Sequence, residues 1–362
     1  MIPKALFDQT VLGFFSPIRP FLEEEGITEV MINGPKQIFI ERRGRIEPTQ
    51  ATFANDEDLM SALRNVAQYV GRPLDEERPV LEAHLPDGSR LEAVIPPAAA
   101  AGPYVSIRRF YREKLTAERL LALGAWTQEA MHLLQALVAC KQNILVAGGT
   151  NTGKTSLLNV LSAFCAAEER IVVIEDAREL SLQLPHVVRL EAQPGDHKGR
   201  GAISIGGLFK ATLRMRPDRI VVGEIRGAEA LDLVQAMTSG HGGCLSTVHA
   251  THARDALGRI ETLALMADVG LPLAALRPQV ASAINVIVTV SRTPDGKRCV
   301  TSISEVLGHD PERGYELQEL FDSRIERTPA GEMRYRLQRT HARPRCAPQL
   351  EAMGYLTPLP SV

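Results

Sequence analysis

The 362-residue sequence has little of several features that mark whole classes of protein. Its cysteines are odd in number and widely spaced, at positions 140, 165, 244, 299 and 346. This spacing excludes a disulfide framework and favours a reducing compartment such as the cytosol. No apolar run approaches the ~18 residues of a membrane span, and the first residues lack the apolar stretch of a signal peptide. A soluble, cytosolic protein without a membrane span is expected.

Aromatic residues and net charge are also scarce. Aromatic residues make up 5% of the chain, and the formal net charge at pH 7 is −2. Few base-stacking side chains and no excess of positive charge disfavour a helicase, and no nucleic-acid partner is expected. Hydrophobic and charged fractions of 44% and 23% are typical of a globular protein. The length allows roughly two domains, each with its own core.

One segment, residues 148–155, fits the pattern G-x-x-x-x-G-K-[ST] that cradles phosphates. The apolar run 144–147 before it predicts a buried strand, and residues 156–162 after it predict an amphipathic helix. With both neighbours present, a Gly-rich turn without a ligand is disfavoured. We expect Lys154 to reach the β- and γ-phosphates and the Thr155 hydroxyl to bind Mg²⁺. The predicted nucleotide-binding residues are Gly148, Gly149, Thr150, Asn151, Thr152, Gly153, Lys154, Thr155 and Ser156.

The hydrophobic pattern divides the chain into parts. Residues 1–110 alternate short strands with one helix, which predicts a smaller α+β N-terminal domain followed by a charged linker at 111–116. Residues 117–297 alternate apolar strands with helices, which indicates an α/β domain built on a largely parallel sheet, a RecA-like P-loop NTPase core. Residues 298–362 return to short β-patterns and are predicted to form a C-terminal β-rich subdomain with a basic, Pro-rich tail.

Acidic residues follow two of the predicted strands. Glu175 and Asp176 come directly after the run 171–174, and Glu224 follows the run 220–223. Because ligands of open α/β sheets bind beyond the carboxyl ends of parallel strands, both acids are expected to face the phosphates. Nucleotide hydrolysis needs such a carboxylate to orient water and to help hold Mg²⁺. For either acid alone, a solvated loop residue remains an alternative.

A glycine-rich turn and a further strand end at His249, which is predicted to contact the γ-phosphate or to be a structural histidine. A zinc site is the competing hypothesis, because His241, Cys244, His249 and His252 have loosely ligand-like spacings. It is disfavoured because a strand points alternate residues to opposite faces and because no compact cysteine pair is present.

These motifs together resemble the secretion ATPases of type II, type IV pilus and type IV secretion systems. The chain carries, in order, a Walker A motif at 148–155, an acidic Asp box at 174–176, a Walker B-like motif at 222–227 and a His box ending at His249. Within that family the segments 28–35, 106–110, 185–191, 213–219 and 248–250 are similar to motors of the Tad pilus, the CpaF/TadA type. The similarity runs from about residue 20 to about 350.

The resemblance implies a cytoplasmic, hexameric motor that hydrolyses ATP with Mg²⁺ and docks on the inner-membrane platform proteins of a pilus. It would drive pilin assembly, with retraction as a further alternative, in a Tad (type IVc) pilus or a type II secretion-like system. Glu224 would be the catalytic glutamate and Glu175 a second acid that orients water. Arg108 and Arg109, at the end of the N-terminal domain, would reach the γ-phosphate by domain closure or from a neighbouring subunit.

Several alternatives stay open at this point. Arg216 and Arg226 are further candidates for the phosphates, and ordinary surface charge is the competing interpretation for all four arginines. A conjugative type IV secretion ATPase shares every motif, and a nucleotide-gated assembly protein with weak hydrolysis is a third possibility. Seven arginines at 324, 327, 334, 336, 339, 343 and 345 predict a solvated face, or a surface that docks on acidic loops or anionic lipids.

Overall fold

The computed structural model describes residues 13–42, 44–85, 87–109, 115–193, 195, 200–293, 296–327 and 333–355. The chain forms two compact units, which we call the N-terminal unit (residues 1–113 with 195–200) and the C-terminal unit (114–194 with 201–362). Four residues of the predicted linker, 111–114, lie outside the described part of the chain. Within the described ranges, no helix combines the length and apolar character needed to cross a membrane.

The N-terminal unit is built on a six-stranded antiparallel sheet in the order β3-β2-β1-β6-β5-β4. Its elements are α1 (Arg19–Glu23), β1 (Ile27–Asn33), β2 (Ile38–Arg42), β3 (Arg45–Pro48), α2 (Asp56–Tyr69), β4 (Val80–His84), β5 (Arg90–Val94) and β6 (Tyr104–Arg108). The last strand, β6, pairs with the first, β1, at the centre of the sheet. This long-range pairing closes the unit into a single core.

Helix α2 shows why the local sequence predicts this unit well. Its N-cap residue, Asn55, accepts the backbone N–H of Asp58 at 2.9 Å through its side-chain oxygen. Leu59, Leu63 and Val66 recur at helical spacing and are fully buried in the core of the unit. The predicted helix is therefore present, with its apolar stripe in the core.

The C-terminal unit contains a nine-stranded sheet in the order β15-β14-β13-β12-β7-β11-β10-β8-β9. Its strands are β7 (Ile144–Gly148), β8 (Ile171–Glu175), β9 (Val187–Glu191), β10 (Arg219–Val222), β11 (Leu245–His249), β12 (Val286–Arg292), β13 (Arg298–Asp310), β14 (Gly314–Arg327) and β15 (Met333–Arg339). Its helices are α3 (Ala117–Ala122), α4 (Gln128–Ala139), α5 (Lys154–Ser162), α6 (Ile205–Thr212), α7 (Glu229–Thr238), α8 (Ala253–Leu265), α9 (Leu273–Ala283) and α10 (Ala347–Ala352). The six strands from β12 to β9 in this order pair in parallel. The predicted α/β fold with a RecA-like sheet is confirmed.

Strand β7 explains the unbroken apolar runs of the sequence. Ile144 and Val146 belong to one hydrophobic core, and Leu145 and Ala147 belong to another. Because alternate residues of a strand point to opposite faces, the two cores lie on the two sides of the sheet. The first core includes residues of α4 and α5, and the second includes residues of α7, α8 and α9. A strand covered on both faces needs apolar residues at every position.

The C-terminal part of the chain differs from the prediction. In the described ranges 298–327 and 333–339, β13, β14 and β15 extend the same sheet by antiparallel pairing from β12, so the predicted boundary at residue 298 does not divide this sheet. Ile303, Phe321 and Leu337 are buried in the core that α4 and α5 share. Short β-patterns in a sequence do not reveal whether strands build a new sheet or extend an existing edge, because strand pairing is not local. Much of the predicted basic tail is therefore a strand and a short helix, and residues 356–362 lie outside the described part.

Candidate nucleotide-binding site

The phosphate loop connects the buried end of β7 to the first turn of α5. At Gly148 an added Cβ would lie 2.5 Å from Thr152 Oγ1 and 2.7 Å from the backbone oxygen of Val290, so no larger residue fits. Gly153 has a φ of +95° and Asn151 a φ of +59°, so two nearby residues adopt the left-handed conformation. A backbone of this kind, at the start of a helix, is typical of loops that turn N–H groups toward one concave side and bind anions.

Two side chains of the loop fold back onto one of its carbonyl groups. The Lys154 Nζ and the Thr152 hydroxyl both donate to the backbone oxygen of Gly149, each at 2.9 Å. The Lys154 Nζ also lies 3.9 Å from the Glu224 Oε1, and only 11% of the lysine side chain is exposed. The lysine and the predicted catalytic glutamate therefore lie next to each other, and both side chains are mostly buried.

An arginine orients Glu224. The Arg226 Nε donates to the Glu224 Oε2 at 2.7 Å, and a second nitrogen of the same guanidinium contacts the same oxygen. The third guanidinium nitrogen donates to the Asp176 carboxylate, which follows β8. Arg226 thus joins the acids that end two neighbouring strands. Its fixed fork of donors suits this bridge better than a lysine would.

The turn that carries Glu224 and Arg226 is itself held in place. The Glu229 Oε1 accepts the backbone N–H groups of Arg226 and Gly227, both at 2.8 Å. The Thr247 hydroxyl on β11 donates to the Gly223 oxygen at 2.7 Å, and the Thr247 carbonyl accepts from Ile225 at 2.9 Å. These four hydrogen bonds fix the backbone around Glu224 independently of any ligand.

Glu175 has a different environment from Glu224. Only 3% of the residue is exposed, and its Oε1 accepts the backbone N–H groups of Glu179 at 2.9 Å and Leu180 at 2.8 Å. Burial raises the pKa of this carboxyl to about 7, although the two hydrogen bonds oppose the rise. An added Cβ at Gly223 would lie 3.1 Å from its Cγ, so the side chain packs tightly against the Walker B-like turn. Its predicted role in orienting water stays a prediction.

His249 lies beside the phosphate loop. It ends β11, is exposed and pairs in register with Gly148. Cys244 is fully buried just before the other end of this strand, with its Sγ 3.0 Å from the His241 oxygen. Five extended residues separate Cys244 and His249 by roughly 16 Å, so the two side chains cannot bind one metal ion. In the described ranges no group of three or more His, Cys, Asp or Glu side chains is placed to hold a metal.

The other three candidate arginines lie in two parts of the chain. Arg108 is exposed at the end of β6 and lies opposite Glu29, and the guanidinium of Arg109 donates to the backbone oxygen of Ile27 at 3.0 Å. Arg216 precedes β10, whereas Glu224 follows it. A four-residue strand is roughly 13 Å long, so Arg216 lies at the edge of the sheet opposite the phosphate loop of its own chain. A phosphate contact by Arg216 would therefore require a second copy.

Residues 14–319 match the family of type II/IV secretion system proteins. This chain belongs to that family. A putative conjugal transfer protein of Mycobacterium tuberculosis is 35% identical over 302 residues, which cover 82% of this chain and 85% of the relative. The type IV secretion system protein PtlH of Bordetella pertussis is 36% identical over 301 residues, 76% of this chain and 88% of the relative. The Legionella pneumophila ATPase DotB has the same fold, with a TM-score of 0.55 at 16% identity over 85% of this chain and 82% of DotB.

The family membership confirms part of what the motifs predict. The chain is a secretion-system ATPase. Nucleotide binding by the phosphate loop stays a prediction. The finer similarity to Tad-pilus motors is not reproduced by these relatives, which are named for conjugal transfer and type IV secretion. The expectation of a secretion ATPase is correct, whereas the expected pilus machine has less support than its conjugative alternative.

The structure also adds residues of this secretion ATPase that the sequence motifs did not single out as site residues. Asp176 contacts Arg226. Its position next to Glu175, at the end of a strand, is the sequence feature that could have identified it as a site residue. Glu229 holds the Walker B-like turn from the first turn of α7. Arg298 donates through Nε to the Asn151 oxygen at 2.9 Å, from 147 positions away in the sequence. No local sequence pattern predicts the contact between Arg298 and Asn151, because the pairing of β12 with β13 brings Arg298 to the loop.

Proposed function

We propose that this chain is the hexameric ATPase of a conjugative type IV secretion system and that ATP hydrolysis drives the transfer of DNA or protein. The observation that carries the proposal is the similarity to proteins named for conjugal transfer and type IV secretion. The identity of 35–36% extends over 76–82% of this chain and 85–88% of each relative. Both units of this chain therefore have counterparts in those relatives.

The site chemistry fits ATP hydrolysis. Lys154 and the N–H groups of the loop bind the phosphates, and Glu224 orients the attacking water while Arg226 keeps its carboxylate in place. The oxygen donors that Mg²⁺ prefers are present in the Thr155 hydroxyl and the carboxylates of Asp176 and Glu224. A Mg²⁺ ion held there would neutralise charge on the phosphates. The protein groups bind the nucleotide, orient the water and stabilise the developing charge.

The assembly completes the proposal. A ring of six copies at the cytoplasmic face of the inner membrane would dock on the membrane proteins of the secretion machine. In such a ring the exposed Arg108, from its own chain or a neighbour, would bring a guanidinium to the γ-phosphate of a site. Arg109 and Arg216 are further candidates for the same role, Arg216 from a second copy only.

A pilus motor is the second candidate, because segments 28–35 and 106–110 resemble those of Tad-pilus motors. A cell assay separates the two machines. A deletion strain is complemented with the wild-type chain, with Glu224→Gln or with Glu168→Gln, an exposed acid that serves as the matched control. Plasmid transfer to a recipient and surface pilin are measured in each strain. Transfer that is lost with Glu224→Gln and kept with Glu168→Gln supports the proposal.

Two results would contradict the proposal. If the Glu224→Gln strain keeps plasmid transfer but loses surface pilin, the chain is a pilus motor. Equal phosphate release by the purified wild-type chain and Glu224→Gln would instead identify an assembly protein that binds ATP without using hydrolysis. The Glu168→Gln chain should match the wild-type chain in both assays.

A further inference from the structure

A hairpin from the antiparallel part of the sheet reaches the phosphate loop. Strand β12 pairs in parallel with β7, and Val290 lies in register with Gly148. The chain then turns and returns as β13, which starts at Arg298 opposite Arg292. Arg292 ends β12 and Arg298 begins β13, so both residues lie at the same edge of the sheet as the phosphate loop.

Arg298 contacts two residues of the loop. Its Nε donates to the backbone oxygen of Asn151 at 2.9 Å. An added Cβ at Gly153 would lie 3.3 Å from the Arg298 Cδ and 3.9 Å from its Cβ, so the aliphatic stem lies over that glycine. Asn151 and Gly153 are the two residues of the loop with positive φ. The arginine thus contacts the two loop residues whose backbone adopts the left-handed conformation.

This contact has a physical consequence for anion binding. A concave set of N–H groups binds phosphate only if the neighbouring carbonyl groups point away from it. Asn151, with a φ of +59°, adopts the left-handed conformation, which asparagine visits more readily than other non-glycine residues but which still competes with right-handed and extended backbone. The hydrogen bond from Arg298 holds the Asn151 carbonyl and thereby favours that conformation.

We propose that Arg298 is a positioning residue of the nucleotide site, which holds the phosphate loop in its binding conformation. It acts through Asn151 and not by touching the nucleotide. Since ADP and ATP both place a β-phosphate in the loop, its loss weakens both nucleotides equally. The proposal rests on nucleotide binding by the loop and is independent of which secretion machine the ATPase serves.

The test measures dissociation constants of fluorescent ADP and of a fluorescent non-hydrolysable ATP analogue on the full chain. Variants are Arg298→Ala, Arg298→Lys and the control Lys297→Ala, which removes the same charge one position away. Loss of a charge-assisted hydrogen bond should raise both constants about tenfold in Arg298→Ala. KM for ATP should rise by a similar factor, with kcat within about twofold. Lys297→Ala should bind like the wild-type chain.

Arg298→Lys tests whether nucleotide binding depends on a donor at the position of Nε or only on the positive charge. Lysine keeps the charge and the stem over Gly153 but has no donor at the position of Nε, so binding should stay weak. Full rescue by lysine, a loss confined to the ATP analogue, or unchanged binding in Arg298→Ala would each overturn the proposal. If the alanine variant does not fold, the lysine variant alone decides. A wild-type chain that binds neither nucleotide would refute the nucleotide site itself.

Discussion

Glu175 gives the sharpest test of the electrostatics of this site, because its pKa is raised from a usual value of 4.5 to about 7. Below pH 4.5 the carboxyl is protonated in both the folded and the unfolded chain, so it contributes no pH dependence. Between pH 4.5 and about pH 7 the folded chain keeps a proton on Glu175 that the unfolded chain has lost. Stability therefore falls as pH rises through this window, and above pH 7 the destabilisation is complete.

The substitution Glu175→Gln removes this titration while its amide oxygen still accepts the N–H groups of Glu179 and Leu180. From the two pKa values, the wild-type chain should lose about 2–3 kcal/mol between pH 5 and pH 8 relative to the variant. For a unit of this size, each 1 kcal/mol shifts the melting temperature by roughly 2–4 °C. The difference in melting temperature between variant and wild type should therefore grow by roughly 5–10 °C over that pH range.

Thermal unfolding followed by circular dichroism at pH 5, 6, 7 and 8 measures this difference. Glu168→Gln makes the same chemical change at an exposed position, and its difference from the wild-type chain should not vary with pH. A constant difference between Glu175→Gln and wild type would show that the carboxyl does not titrate in this window. Lost hydrolysis with retained nucleotide binding in Glu175→Gln would support its predicted role as a second acid.

Three further changes test the site. Lys154→Ala should abolish ATP binding, measured by isothermal titration, since its ammonium would neutralise the β- and γ-phosphates; retained affinity would contradict this. Arg108→Ala should keep binding but slow phosphate release by about 10³-fold, and equal loss of binding would exclude a finger role. Gly148→Ala should cost about 1–3 kcal/mol in thermal unfolding, because its Cβ would meet the Val290 oxygen at 2.7 Å. Gly149→Ala, whose Cβ would lie 3.7 Å from its nearest neighbour, is the matched control.

Much of the site could be predicted because its parts are local in sequence. The phosphate loop needs its glycines, Lys154 and Thr155 in fixed spacing between a strand and a helix, and the structure has that arrangement. Glu224 and His249 could be placed because each ends an apolar run, and parallel strands present their carboxyl ends at one edge. The extended C-terminal sheet was missed because strand pairing depends on partners far away in the chain. Helix α9 was also missed, and Pro278 lies inside it.

The sequence by itself determined the strand–loop–helix arrangement of the phosphate loop and the acids that follow apolar strands, because short-range backbone geometry and hydrophobic periodicity encode these features. Only the tertiary structure decided what each charged side chain contacts. It turns Arg226 onto Glu224 and Asp176, places Arg216 at the opposite edge of the sheet, and sets Arg298 against the loop. These contacts join residues that are distant along the chain, so strand order and register create them and no local pattern does.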